Sequence, residues 1–351
     1  MYFKQFLHDS TGCASYFIAS RRSREAVVVD PQHDVQPYVE LAADRDYSIR
    51  HVIDTHIHAD HVSGNRRLAQ LAGAELWLPA KADVAFAYQA LNEDDQLQVG
   101  QIRLRVLQTP GHRPEAICLL VTNLERSSEP ALVLSGDTLF VGDVGRPDFG
   151  GPHGAADQYR STRRLLALPD WVEVFPAHFE GACGRSMCGR PSSTIGFERR
   201  FNPMLQHEES EFVQLVTEPT PRPLNMTAVV ATNRGVADYG SLRPNGTSRV
   251  DSVAADWAPK WIAERQACVL DVREPWEFAA GHIQHAVCMP QADLAIELQR
   301  FDRERSLLVV CESGFRSARA AAFLKSRGFN RIANLSGGML AWRRAGNRVL
   351  T

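Results

Sequence analysis

The sequence lacks any apolar run long enough to cross a bilayer. Segments such as ICLLV (117–121) and LLVV (307–310) end after four or five residues, far short of the roughly 20 that a membrane helix needs. It also lacks a surplus of either charge. Lys and Arg number 39 against 41 Asp and Glu, a formal net charge of -2, so no nucleic acid or anionic membrane is expected as a partner. The opening MYFKQFLHDS has no apolar core of the signal-peptide kind. The seven cysteines, an odd number, lack the dense spacing of a disulfide framework. Together these features predict a cytoplasmic protein with reduced thiols.

What is present is an ordinary globular composition, 44% hydrophobic and 23% charged, in 351 residues. That length suits about two domains. The division falls at EPTPRPLNM (218–226), where three prolines within five residues remove amide donors and disfavour helix. A polar stretch, GSLRPNGTSR (240–249), extends the connection. The expected organisation is a first domain over 1–217, a linker over 218–250 and a second domain over 251–351.

In the first block, AVVVD (26–30), IRHVIDT (49–55), ICLLV and ALVLS (131–135) read as buried strands, and IRLRVLQ (102–108) alternates like a strand with one wet face. Helices are expected after Ser63 and over Ala155 to Ala167. The second block alternates more regularly. Helices near 254–265, 293–301, 315–327 and 338–345 interleave with the strands CVLD, LLVVC and RIANL. That order implies a parallel sheet with helices on its faces.

The chemistry concentrates in THIHADHVSG (55–64), where His56, His58, Asp60 and His61 fall within six residues. Imidazole nitrogen and carboxylate oxygen are ligands for borderline metals. A lone histidine such as His51 or His207 is ordinarily a surface or core residue, but several imidazoles and a carboxylate at one strand end serve no obvious packing purpose. Three further residues share that setting: His112 in TPGHRPE, Asp137 in LSGDTLF and His178 in FPAHFEG. Each follows an apolar strand at a Gly- or Pro-containing turn, where side chains distant in sequence converge in layered α/β folds.

These seven residues, in this order, resemble the metal-ligand pattern of the metallo-β-lactamase superfamily over roughly 1–215. The resemblance implies an αββα sandwich with the metal site at one edge. All seven positions are filled, so two usages stay open. A two-zinc thioester hydrolase of the glyoxalase II kind would use all seven, with Asp137 bridging. The persulfide dioxygenase branch implies one Fe(II) per chain on His56, His112 and Asp137, with His58, Asp60, His61 and His178 as surrounding hydrogen-bonding groups. VGDVGRPDFG (141–150) and GRPSSTIGFERRFNP (189–203) resemble that second branch, in particular bacterial members that carry a rhodanese domain. The implied substrates are glutathione persulfide, with glutathione as the thiol, and O2. Arg113 and Arg146 are candidate anchors for its carboxylates.

The second block carries Cys311 at the end of LLVVC, just before a helix, where backbone amides and the helix dipole favour a negatively charged sulfur. Successive amides there would also hold an anion. VLDVREPWEFAAGHI, VVCESGFRSARAAAFL and NLSGGMLAW resemble a rhodanese α/β domain over roughly 253–345. The resemblance makes Cys311 a persulfide-forming nucleophile. Its loop is Glu312, Ser313, Gly314, Phe315, Arg316 and Ser317, with Arg316 catalytic and Asp271 and Arg273 as braces. Four residues separate Cys311 from Arg316, a ring small enough to suit a sulfane sulfur better than a phosphate. Glu312 and Phe315 stand where thiosulfate-using rhodaneses often carry basic residues. The whole chain therefore reads as a persulfide dioxygenase fused to a sulfurtransferase acting on thiosulfate or sulfite, with a homodimer as the candidate assembly. The alternative is a dinuclear zinc hydrolase with a rhodanese binding or redox-sensing module.

Overall fold

A computed structural model describes residues 1–8, 11–147, 149–150, 153–180, 184, 187–238 and 250–350. Chain contacts gather into two units. The first holds Met1–Pro219 and Asn233–Val236, and the second Thr220–Thr232 and Ala237–Thr351. The stretch expected as a linker contains a helix, Met226–Asn233, whose eight residues include neither proline nor glycine. The polar stretch 240–249 lies outside the described residues.

The first unit is built from two six-stranded sheets. One runs in chain order through Tyr2–His8, Cys13–Ala19, Glu25–Val29, Ser48–Ile53, Glu75–Pro79 and Gln89–Leu91. The other is ordered Ser193–Thr194, Glu173–Pro176, Leu132–Gly136, Ile117–Asn123, Ile102–Gln108 and Gln96–Val99. Val27, Val29 and Ile53 of the first sheet pack with Leu104, Val106 and Leu119 of the second in one buried cluster. The opposite faces are covered by helices. Val28 and Val52 cluster with Tyr38 and Leu68, from helices Gln36–Asp44 and Asn65–Ala72. Val133 and Val174 cluster with Leu165 and Phe212, from helices Gly154–Leu166 and Glu209–Thr217. Side chains that alternate between sheet faces supply both clusters from the same strands, and the result is the expected αββα sandwich. Ile102–Gln108 shows the alternation most plainly, with Ile102, Leu104 and Val106 buried and Arg103 and Arg105 only half-buried.

The second unit has a five-stranded parallel sheet ordered Asp251–Val253, Ile332–Leu335, Leu307–Val310, Cys268–Asp271 and Val287–Cys288. Leu307 and Val309 face a cluster with Phe323 and Leu324, while Leu308 and Val310 face one with Met339 and Trp342. Burial on both faces accounts for strands that read as unbroken apolar runs. One expected helix differs. Residues 291–300 form a 3-10 turn, a four-residue helix Leu294–Glu297 and a second 3-10 turn. Among the described residues no helix is long and apolar enough to cross a membrane.

Candidate functional site

All seven residues singled out in the first block lie just past strand ends on one edge of the sandwich. His56, His58, Asp60 and His61 follow Ser48–Ile53, His112 follows Ile102–Gln108, Asp137 follows Leu132–Gly136 and His178 follows Glu173–Pro176. Antiparallel pairing of Cys13 with His178, and the Ala14 N–H to Ala177 carbonyl bond of 2.7 Å, join the two sheets at this edge.

Three side chains converge at its centre. Asp137 Oδ2 lies 3.7 Å from His56 Nε2 and 3.5 Å from His112 Nε2. Ligands about 2.1 Å from one ion sit about 3 Å apart at right angles, so these separations need only a small contraction around a metal. All three residues are buried. His56 Nε2 and Asp137 Oδ2 have no hydrogen-bond partner, and neither do His58 Nδ1 and His61 Nε2. A buried polar atom left unpaired costs roughly 1–3 kcal/mol, and the ligating atoms of His56, His112 and Asp137, all within 4.8 Å of one another, fit a cation. The far side of each ligand is fixed. His112 Nδ1 donates to the Arg146 carbonyl at 2.7 Å, and His56 Nδ1 meets Thr55 Oγ1 at 3.0 Å. These contacts set the tautomer and ring plane that aim Nε2 inward.

Electrostatics prepare the same atoms. Burial, with the neighbouring imidazole of His58, pushes His56 well below its ordinary value, and burial also lowers His112. Both rings are thus neutral and ready to ligate. Burial works to raise Asp137, but His178 and His56 outweigh it and hold the carboxyl well below the usual range.

Asp60, His61 and His178 are engaged with one another. Asp60 Oδ2 accepts from Cys13 Sγ at 2.9 Å and contacts His178 Nε2 at 3.0 Å and His61 Nδ1 at 3.1 Å. His178 Nδ1 reaches Asp137 Oδ1 at 2.7 Å, so both its ring nitrogens face carboxylates. Cys13 itself is fully buried and touches His178 Nε2 at 3.3 Å. Arg113 and Arg146 are buried at this edge, and the Arg113 guanidinium lies 3.9 Å over the Phe149 ring.

In the second unit, Cys311 Sγ accepts from the Gly314 N–H at 3.1 Å and from Ser317 Oγ at 3.2 Å. Ser317 and Gly314 are held in turn by Asn334. Gly314 sits at φ 88, where an added Cβ would also press on Gly337, so glycine is required for the loop to turn into helix Phe315–Ser326. Arg273 is fully buried. It forks onto Asp271, donates to the Gly281 carbonyl and reaches Glu312 at 3.0 Å. The Arg316 guanidinium makes a two-pronged pair with Glu277, at 2.7 and 2.5 Å. Ser313 and Phe315 complete the loop, Phe315 strongly exposed.

The metallo-beta-lactamase superfamily matches residues 9–178, and the rhodanese-like domain matches residues 254–345. A crystal structure of ETHE1 from Myxococcus xanthus superposes with a TM-score of 0.60 at 31% identity, covering 67% of this chain and 99% of that one. The chain belongs to the metallo-beta-lactamase superfamily. Its second unit is a rhodanese-like domain. The mitochondrial persulfide dioxygenase ETHE1 of Bos taurus is 27% identical over 66% of this chain and 86% of its own. A hydroxyacylglutathione hydrolase of Pseudomonas putida is 31% identical over 58% of this chain and 85% of its own.

Two residues of this superfamily site escape the sequence reading. Cys13 carried no signal because its partners lie 47 and more positions away. Asp30 was read only as the end of a strand. Its carboxylate accepts from the Thr55 N–H at 2.7 Å and from the Thr55 hydroxyl, and meets His58 Nε2 at 3.1 Å. Its φ of 52 is a conformation tolerated better by Asp than by most residues, and the VVVDP context was the one available hint.

Two outcomes follow from these contacts. Asp30→Asn replaces an acceptor with a donor facing Thr55 and His58, and equilibrium dialysis is expected to show metal affinity falling about 10- to 100-fold. Burial works to raise Glu277, but Arg316 outweighs it and holds the carboxyl below its usual range. Its stabilising effect is therefore complete above the unfolded value of about 4.3 and lost as pH falls through the lower folded value. Glu277→Gln should be less stable than wild type in denaturant titrations at pH 7, and the gap should close as the pH drops below about 4.

Proposed function

We propose that the first unit is a mononuclear iron(II) persulfide dioxygenase and the second a sulfurtransferase, on domains bounded near 1–217 and 251–351. The observation that carries the one-metal reading is the contrast within the motif. The His56, His112 and Asp137 atoms converge with His56 Nε2 and Asp137 Oδ2 unpaired, whereas of the four second-metal positions Asp60 and His178 are consumed by contacts with Cys13, His61 and Asp137 and only His58 and His61 keep an unpaired nitrogen. Two histidines and one carboxylate form a ligand face suited to non-haem iron. Iron(II) held there supplies the redox chemistry by which O2 oxidises a bound sulfane sulfur. Overall, glutathione persulfide, O2 and water give glutathione and sulfurous acid, the terminal sulfur rising by four electrons that O2 takes up. Arg113 and Arg146 are the candidate anchors for the substrate's carboxylates, and His178 keeps Asp137 oriented.

On the rhodanese loop, Cys311 accepts a sulfane sulfur from thiosulfate, releasing sulfite, and passes it to a thiol such as glutathione. The reverse course combines sulfite with a persulfide. The Gly314 N–H and Ser317 hydroxyl stabilise the sulfur, and Arg316 with Glu277 holds the first turn of the helix.

Iron-loaded protein is expected to consume O2 with glutathione persulfide and to hold about one iron per chain, with the iron lost in His112→Ala. Two metals per chain and thioester cleavage indifferent to anaerobic conditions would establish the hydrolase instead. Cys311→Ser should abolish thiosulfate–glutathione sulfur exchange and leave O2 uptake intact. Exchange that survives the substitution would remove Cys311 from the transfer.

A further inference from the structure

The loop from His58 to Ser63 lies outside helix and strand apart from one isolated bridge at Ser63, so its backbone groups must find partners elsewhere. Three of them find the same side chain. Asn233 Oδ1 accepts from the Ser63 N–H at 2.9 Å, and Asn233 Nδ2 donates to the carbonyls of His58 and His61, each at 2.9 Å. One carboxamide offers two N–H donors and one carbonyl acceptor, and all are used here on a single loop. Asn233 is only 8% exposed. It lies 170 residues and more beyond the loop it holds, in a segment that the sequence reads as linker.

The residues after it are anchored too. The Arg234 carbonyl accepts from the Ala85 N–H at 2.8 Å, and its side chain donates to the Asp83 carbonyl at 2.9 Å and pairs with the Asp83 carboxylate. Gly235 has φ 69, and a Cβ there would press on the Phe86 ring. Asn233–Val236 is thus a fixed part of the first unit, and the metal loop's bonds to it are set by structure on both sides.

We propose that Asn233 is a positioning residue of the metal centre: its carboxamide fixes the backbone that carries His58, Asp60 and His61 and, through the His58 ring packed 4.3 Å from that of His56, the direction of the metal-facing His56 imidazole. It touches neither metal nor substrate. Without it, two buried carbonyls and one N–H lose their partners, and the loop must shift to recover them. The inference rests on the metal centre of the superfamily and is independent of which metal or reaction the centre serves.

The test uses full-length apoprotein and cobalt(II) as probe, so that no oxygen chemistry enters. Cobalt affinity is measured by competition with a chromophoric chelator, and the visible cobalt spectrum and the melting temperature are recorded with and without metal. Asn233→Ala is expected to bind cobalt about 10- to 100-fold more weakly, with an altered ligand-field spectrum and a smaller metal-induced rise in melting temperature. Asn233→Asp keeps the acceptor for Ser63 but faces both carbonyls with a second acceptor. It should lose affinity as well, and it replaces the alanine variant if that one does not fold. An equal drop in melting temperature for apo and loaded forms, with cobalt affinity and spectrum unchanged, means that Asn233 is a general fold contact and overturns the proposal. Failure of wild-type protein to consume O2 would sink the dioxygenase reading alone and leave this result standing.

Discussion

A carboxylate among imidazoles in a dry interior is the constraint on which the first unit turns. Isolated charge in a protein core is costly unless it is paired. Asp137 is fully buried, yet its carboxyl stays ionised because His178 and His56 overcome the burial. One oxygen is satisfied by His178 and the other has no partner. With His56 and His58 each presenting an unpaired buried nitrogen nearby, the polypeptide alone leaves the set incomplete, and a bound cation completes it. The sandwich serves this arrangement directly. Four strands from two sheets end on one edge, and each delivers its part of the seven-residue motif in the first residues after the pairing stops.

That edge was legible in the sequence because each ligand is written beside its strand. Apolar runs ending in THIHADH, PGH, SGD and PAH combine a periodic signal with residues that have no packing purpose. The parallel sheet of the second unit was legible for the same reason, since LLVV and CVLD are buried on both faces and read without alternation. What stayed hidden depends on distant pairing. Asp30, Cys13 and Asn233 act through hydrogen bonds to residues 25 to 175 positions away, and apart from the VVVDP context of Asp30 nothing local marks them. The expected helix at 293–301 failed on a related ground. Leu294, Leu298 and Phe301 have helical spacing, but packing against the sheet cluster is also met by a short helix flanked by 3-10 turns, so tertiary contact decided what spacing could not.

The seven-residue motif is less uniform than its sequence suggests. Identical residue types fall into two electrostatic classes once the fold is known. His56 and His112 are pushed toward neutrality by burial. For His61, burial acts in the same sense, but the Asp60 carboxylate and Cys13 outweigh it and raise it well above its ordinary value. The Asp60 carboxylate makes the larger part of that difference and Cys13, which the sheet pairing sets against His178 and Asp60, adds to it.

The rhodanese loop shows how much a nucleophile's surroundings can be neutralised from within. Its formal charges are nearly all spoken for. Glu312 is shared between Arg273 and Arg343, and Arg316 is forked onto Glu277. Ion pairs of this kind cancel at a distance, so the field at Cys311 comes mainly from oriented groups close to the sulfur, the Gly314 N–H and the Ser317 hydroxyl. Such dipoles suit a single sulfane sulfur carried on cysteine. They give less help to a dianion arriving from solvent, which would profit from unpaired cationic side chains at the mouth of the loop. The exposed side chain there is instead the apolar ring of Phe315. On electrostatic grounds, then, the pairing of Arg316 and Arg343 leaves the Gly314 N–H and the Ser317 hydroxyl as the groups that face the Cys311 sulfur.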